Sequence, residues 1–156
     1  MYAMLINQIL PEIKVSFKPV SSITDRPIIH SSQDAYELLL QIWDMDTIHL
    51  FEEFIALFLD RKNGVIGYRL MNRGNNCGTV VDVKLIFSIA LNCNSSSIIL
   101  AHNHPSGNTK PSRPDDEITM KIDKGANLFE LKLLDHIVIT PDSYYSYMDE
   151  GRISSP

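Results

Sequence analysis

Ala101-His102-Asn103-His104-Pro105-Ser106-Gly107 continues to Pro111-Ser112-Arg113-Pro114-Asp115, and the sequence changes period across this run. Just upstream, Ser97-Ile98-Ile99-Leu100 is a short apolar stretch of the kind that forms a buried strand. Residues i and i+2 of a strand share a face, so His102 and His104 leave the strand end side by side and Asn103 turns away. Downstream, Ile118, Ile122, Ala126 and Phe129 recur at helical spacing. Pro114 suits the first turn of that helix, where a missing N–H costs nothing. Asp115 then stands at the helix N-terminus, and the intervening loop can fold it back onto the histidines.

Two imidazoles and one carboxylate make a three-ligand set for zinc, with the fourth position left to water. A metal held this way acidifies that water and polarises a carbonyl. Mg2+ and Ca2+ want mostly oxygen ligands. Non-haem iron also takes two histidines and a carboxylate, so residue type alone leaves the metal open.

The pattern His-x-His, seven residues, Ser, two residues, Asp falls on His102, His104, Ser112 and Asp115. It resembles the signature of the JAMM (MPN-plus) metalloproteases. The longer text His-Asn-His-Pro-Ser-Gly, then Pro-Ser, then Asp is similar to the RadC-like branch of that family. The likeness runs from about Glu52 to about Gly151 and takes in Glu52-Glu53-Phe54, Leu59-Asp60 and Leu134-Asp135-His136-Ile137.

The resemblance implies one zinc ion per chain on His102, His104 and Asp115. It implies a glutamate on an early strand that takes a proton from water; the family text Glu-x-Phe selects Glu52. Strand alternation puts Glu52 and Phe54 on one face and Glu53 on the other. It further implies that Ser112 donates a hydrogen bond to the tetrahedral oxyanion, beside its ordinary reading as a helix N-cap. The implied activity is hydrolysis of peptide or isopeptide bonds, often beside a ubiquitin-like C-terminal tail. A DNA-binding or DNA-processing repair role, from the label carried by RadC-like chains, and a non-catalytic interaction module are the other classes. Asn103 and Ser106 are expected to shape the loop and to fix the histidine tautomers. Asp135 and His136 are expected to be a buried, hydrogen-bonded pair, with a further metal ligand there as the alternative. Deaminase chemistry would need H-x-E and P-C-x-x-C, and a thermolysin-like site would need H-E-x-x-H; the sequence has neither.

The chain has 156 residues, 44% of them apolar, enough for one domain with a core. Cys77 and Cys93 are too few for a disulfide framework, so a reduced cytoplasmic protein is expected. Met1 to Leu10 lacks the basic start of a signal peptide, and no run is long enough to span a membrane. The formal charge is −5, without the strongly basic footprint of a nucleic-acid binder. Lys110, Arg113, Lys121 and Lys124 read as solvated surface charge.

Residues 1–30 read as an N-terminal extension, with Ile13 to Phe17 alternating like a strand and no helix-hairpin-helix segment. Ser31-Ser32-Gln33-Asp34 opens a helix whose apolar face is Ala35, Leu38, Leu39, Ile42 and Trp43. Phe51 to Asp60 is a strand, Arg61 to Gly64 a turn with an Asn-Gly hairpin signal, and Val65 to Met71 the return strand. Arg73 to Gly78 reads as a loop near the site. Asp82 to Leu91 is a helix with Leu85, Ile86, Ile89 and Ala90 inward. Leu131 to Thr140 and Tyr144 to Tyr147 are the last strands, and residues 153–156 read as a loose tail. This order gives an α/β fold: one domain over 31–152, with a mixed central sheet between helices. Such a small domain with exposed strand edges can pair, so a homodimer stays open.

Overall fold

The computed structural model describes residues 16–18, 22–74 and 81–153. Among them, five strands form one sheet: β1 (Glu52–Leu59), β2 (Val65–Gly74), β3 (Ser97–Asn103), β4 (Lys132–Ile139) and β5 (Tyr144–Ser146). Their spatial order is β2-β1-β3-β4-β5. Only β3 and β4 run parallel, because a helix carries the chain between them. The sheet is therefore mixed.

Alternation along the inner strands sorts their side chains onto two faces. Phe54, Ala56, Phe58, Ile98, Leu100 and Val138 point to one face, packed under α2 (Val83–Asn92) and α3 (Arg113–Leu128). Ile55, Leu57, Leu59, Ile99, Ala101, Ile137 and Ile139 point to the other, under α1 (Ser32–Ile42). This is the α/β/α sandwich expected from the sequence. β3 is buried at every position, as a central strand covered on both faces should be.

The helix starts follow local chemistry. Ser31 and Asp34 form a capping box on α1, satisfying two N–H groups that no helical carbonyl reaches. Asp82 caps α2 through Lys84 N and Leu85 N. Ser112 and Asp115 form a second capping box on α3, with Pro114 in its first turn.

Three expectations are corrected. Leu85 is 38% exposed: α2 turns Ile86 and Ala90 inward, and Leu85 falls at the edge of that stripe. Phe129 is the C-cap of α3, half out of the core, with its ring 5.4 Å from that of Phe87. Ile153 is not the start of a loose tail; it is buried in the α2–α3 core. The expected turn does join β1 to β2 as a hairpin, and within it Asn63 alone takes the left-handed conformation (φ 59°). A Cβ at Gly64 would come within 2.8 Å of Asp60 Oδ2 and would have to displace a carboxylate that Arg26 and Lys62 N hold in place.

Residues 16–18 have no regular structure, and the rest of the expected strand over 13–17 lies outside the described residues. So do positions 75–78 of the expected loop, while Arg73 and Gly74 extend β2. Ile28 bridges to Gly64 and Ile29 is buried under α1. Trp43 is a core residue as expected, with a buried Nε1 that has no partner among the described residues. Among these residues, no helix is long and apolar enough to cross a membrane.

Candidate metal centre

The site forms where β3 ends and α3 begins. β3 places His102 on the α3 face of the sheet, and the chain leaves the strand at Asn103, just before His104. The capping box then holds Asp115 at the third position of α3, its Oδ2 accepting from Ser112 N at 2.7 Å. A carboxylate is favoured there by the partial positive charge of the helix N-terminus.

Donor atoms of three residues converge. His102 Nε2 lies 3.0 Å from His104 Nε2 and 3.3 Å from Asp115 Oδ1. His104 Nε2 lies 3.5 Å from Asp115 Oδ2. Tetrahedral zinc with bonds of about 2.0–2.1 Å wants its donors about 3.3 Å apart; one donor atom from each residue lies within 4.8 Å of the others, a spacing of the right order for the ion. His102, His104 and Asp115 form a group that could hold a metal.

The rings are aimed by bonds on their far sides. His104 Nδ1 donates to Asn108 O at 2.6 Å, which leaves its Nε2 as a lone pair facing inward. His102 Nδ1 lies 2.8 Å from His136 Nε2, and Phe54 stacks on the His102 ring with centroids 6.0 Å apart.

The electrostatics favour a positive charge at the centre. Partial burial opposes ionisation of Asp115, but the two imidazoles beside it and the Ser112 hydroxyl outweigh that and hold the carboxyl far below the usual range. The same Asp115 contact raises the pKa of His104 against its burial. Burial pushes the His136 imidazole well below its ordinary value, so it stays neutral.

A cleft of about 510 Å³ opens beside these groups, lined by Glu52, Phe54, His104, Ser112, Asp115 and Lys121 among others. Glu52 thus shares the cleft with His104 and Asp115 of the candidate metal group. Glu53 is 4% exposed on the opposite face, where it pairs with Arg73 Nε at 2.5 Å. The hydroxyl of Ser112 lies in the same cleft and donates to Asp115 Oδ2 at 2.6 Å. In this arrangement its one proton is committed to the carboxylate.

The remaining expected residues divide. Asn103 touches neither histidine in its side-chain hydrogen bonds; its Oδ1 accepts from Glu53 N at 2.7 Å, and its Nδ2 donates to Ile48 O and Phe51 O. It therefore fastens the segment that carries Glu52. Ser106 shapes the loop through Asn108 N, and the backbone of Asn108, not Ser106, orients His104. Asp135 and His136 point to opposite faces, as neighbours on a strand must. His136 backs His102 of the candidate metal group, whereas Asp135 accepts from Ser146 Oγ, Met148 N and His136 N.

A family model described as the RadC-like JAB domain matches residues 29–152. The chain belongs to the RadC-like JAB domain family. A UPF0758 protein of Flavobacterium johnsoniae is 42% identical over 123 residues, 79% of this chain and 52% of that protein. One from Leptothrix cholodnii is 35% identical over 135 residues, 86% of this chain and 59% of the relative. One from Methanosarcina mazei is 40% identical over 102 residues, 65% and 44% respectively. The chain spans about half the length of the curated relatives it matches.

Two residues of this RadC-like JAB domain escaped the sequence reading. Asn108 acts through its backbone, which no side-chain pattern reveals. Thr119 lies 2.5 Å from His136 Nδ1. It sits four residues after Asp115 on α3, hence on the same helical face, and that spacing is the signal that would have found it.

Asp135 carries a prediction of its own. Burial raises its pKa to about 6, with the charge of Asp149 acting in the same sense. A carboxyl whose folded pKa exceeds its unfolded value favours the folded state in its protonated form. Stability from this group is full below pH about 4, falls as pH rises through about 6, and is flat beyond, a loss of up to ~3 kcal/mol. Asp135→Asn should remove that slope. Urea unfolding of both proteins at pH 4 and pH 7 reads it; equal slopes would refute the assignment.

Proposed function

We propose that this domain is a zinc-dependent hydrolase of peptide or isopeptide bonds. The convergence of His102 Nε2, His104 Nε2 and Asp115 within zinc-binding distance of one another, at the wall of an open cleft, carries the reading. Zinc on these residues would supply a Lewis acid that acidifies water and polarises a carbonyl.

The protein groups do the rest. The Glu52 carboxylate takes a proton from the attacking water and returns it to the leaving amine, so one group serves as base and then acid. Ser112 turns its hydroxyl from Asp115 to the carbonyl oxygen as negative charge develops there. Phe54 and the buried face of β3 keep His102 from moving with the substrate. Family membership supports the fold on which this chemistry rests. The substrate is proposed to be a protein or peptide, with ubiquitin-like conjugates as the isopeptide class.

The test is a cleavage screen of zinc-loaded protein against unstructured peptides, ubiquitin-like conjugates and DNA. Zinc-dependent cleavage of an amide substrate is expected. A protein that holds zinc stoichiometrically yet cleaves no amide would refute the reading, and cleavage confined to DNA would replace it.

Ser112→Ala separates the two tasks of that residue. Loss of the cap should cost about 1 kcal/mol of stability, and loss of the oxyanion donor roughly 10²–10³ in kcat. A melting curve and steady-state kinetics read the two effects. A Ser112→Ala protein with full kcat would leave Ser112 as a cap alone.

A further inference from the structure

His136 and Thr119 lie behind the metal-binding group and face no cleft. His136 is fully buried and Thr119 is 2% exposed. The His136 ring stacks on Tyr147 with centroids 5.0 Å apart and packs against Phe54 at 5.4 Å. Three close contacts run in series. Thr119 Oγ1 lies 2.5 Å from Asp115 O, His136 Nδ1 lies 2.5 Å from Thr119 Oγ1, and His102 Nδ1 lies 2.8 Å from His136 Nε2.

The direction of every proton in this series follows from its first member. A backbone carbonyl has no proton to give, so the Thr119 hydroxyl must donate to Asp115 O. That hydroxyl has only one proton, so toward His136 it can only accept. His136 Nδ1 therefore carries the hydrogen. The ring is fully buried between Tyr147 and Phe54 with no carboxylate hydrogen-bonded to it among the described residues, so a second hydrogen would be an unpaired buried charge, and Nε2 is bare. His102 Nδ1 must then donate to that Nε2, which leaves the lone pair of His102 Nε2 facing His104 and Asp115. The opposite order would put a hydrogen on His102 Nε2, where a cation needs an electron pair.

We propose that Thr119 and His136 are positioning residues that lock His102 in its cation-binding tautomer and tie that ring to the helical turn carrying Asp115. The inference rests on the metal-centre reading above, and it adds what sets the affinity of that centre. Two of the three donors come from distant segments, β3 and α3. The Asp115–Thr119–His136–His102 series fastens them to each other even before a metal arrives.

Thr119→Val keeps the shape of the side chain and removes the hydroxyl. It leaves His136 Nδ1 without its acceptor and frees the ring to adopt the other tautomer. Zinc affinity, measured by competition with a chromophoric chelator, should fall roughly 10-fold or more, in the range found for outer-shell partners. Thr119→Ser retains a hydroxyl at the same place and should recover affinity to within threefold. The second readout needs no metal: ¹⁵N–¹H correlation spectra of metal-free wild-type protein should show His136 in the Nδ1–H form, which a space-filling role for Thr119 would not require. Finding His136 in the Nε2–H form, or a zinc affinity of Thr119→Val within threefold of wild type, would overturn the proposal. Should Thr119→Val not fold, the wild-type spectrum and the Thr119→Ser affinity decide. Absence of zinc binding by the wild type would instead overturn the metal-centre reading, and the spectrum would still judge the relay.

Discussion

Glu52→Gln is expected to retain zinc and the fold while losing roughly 10²–10⁴ in kcat, the contribution of a well-placed proton-transfer group. The amide keeps the length of the side chain and its place at the start of β1, but it cannot accept a proton. KM should change little, because the carboxylate acts on water and the leaving amine rather than gripping the substrate. Glu53→Gln is the internal control. Glu53 is one residue away, yet it lies on the other face against Arg73, so that change should cost stability and spare turnover. Steady-state kinetics with metal content measured on the same samples separates the cases. Full turnover by Glu52→Gln would remove Glu52 from the chemistry and leave the metal site standing.

Asp115→Asn should have an effect as large by a different route. The neutral amide is a poor ligand for a divalent ion and withdraws the charge that now draws positive charge to the centre. Zinc content after dialysis is expected to fall to a small fraction of wild type, and hydrolysis with it. The helix start should survive better than the metal site. The amide oxygen can still accept from Ser112 N, as the carboxylate does at 2.7 Å, so the loss of stability should stay near or below about 1 kcal/mol. Metal analysis and a melting curve on one preparation test both halves. Asp115→Asn protein that kept stoichiometric zinc through dialysis would show that Asp115 is not a ligand.

The two variants probe different levels of organisation. Asp115 is tied to its position by local sequence: Ser112 before it and the helix after it form a capping box whatever the rest of the chain does. Glu52 is held from a distance. Its strand is clamped by Asn103, which stands between the two histidines and reaches across to Glu53 N, Phe51 O and Ile48 O. The residue that strand alternation turns away from the two histidines thus sets where the proposed base stands.

Much of this domain follows from local pattern alone. Period-two burial separated Glu52 from Glu53. The Pro-Ser-x-Pro-Asp run announced the α3 cap, and the change from strand to helical period across residues 101–115 marked the site. These features need only a residue's near neighbours, and near neighbours are what a sequence displays. The sheet order β2-β1-β3-β4-β5, the placing of Leu85 and Phe129 at the edge of the core, and the burial of Ile153 needed the folded chain. So did the chain of contacts from Asp115 through Thr119 and His136 to His102. Its members are spread over α3, β4 and β3, and their hydrogen bonds exist only once those elements pack. Such contacts are set by directions in space between distant segments, and no spacing along the chain encodes a direction.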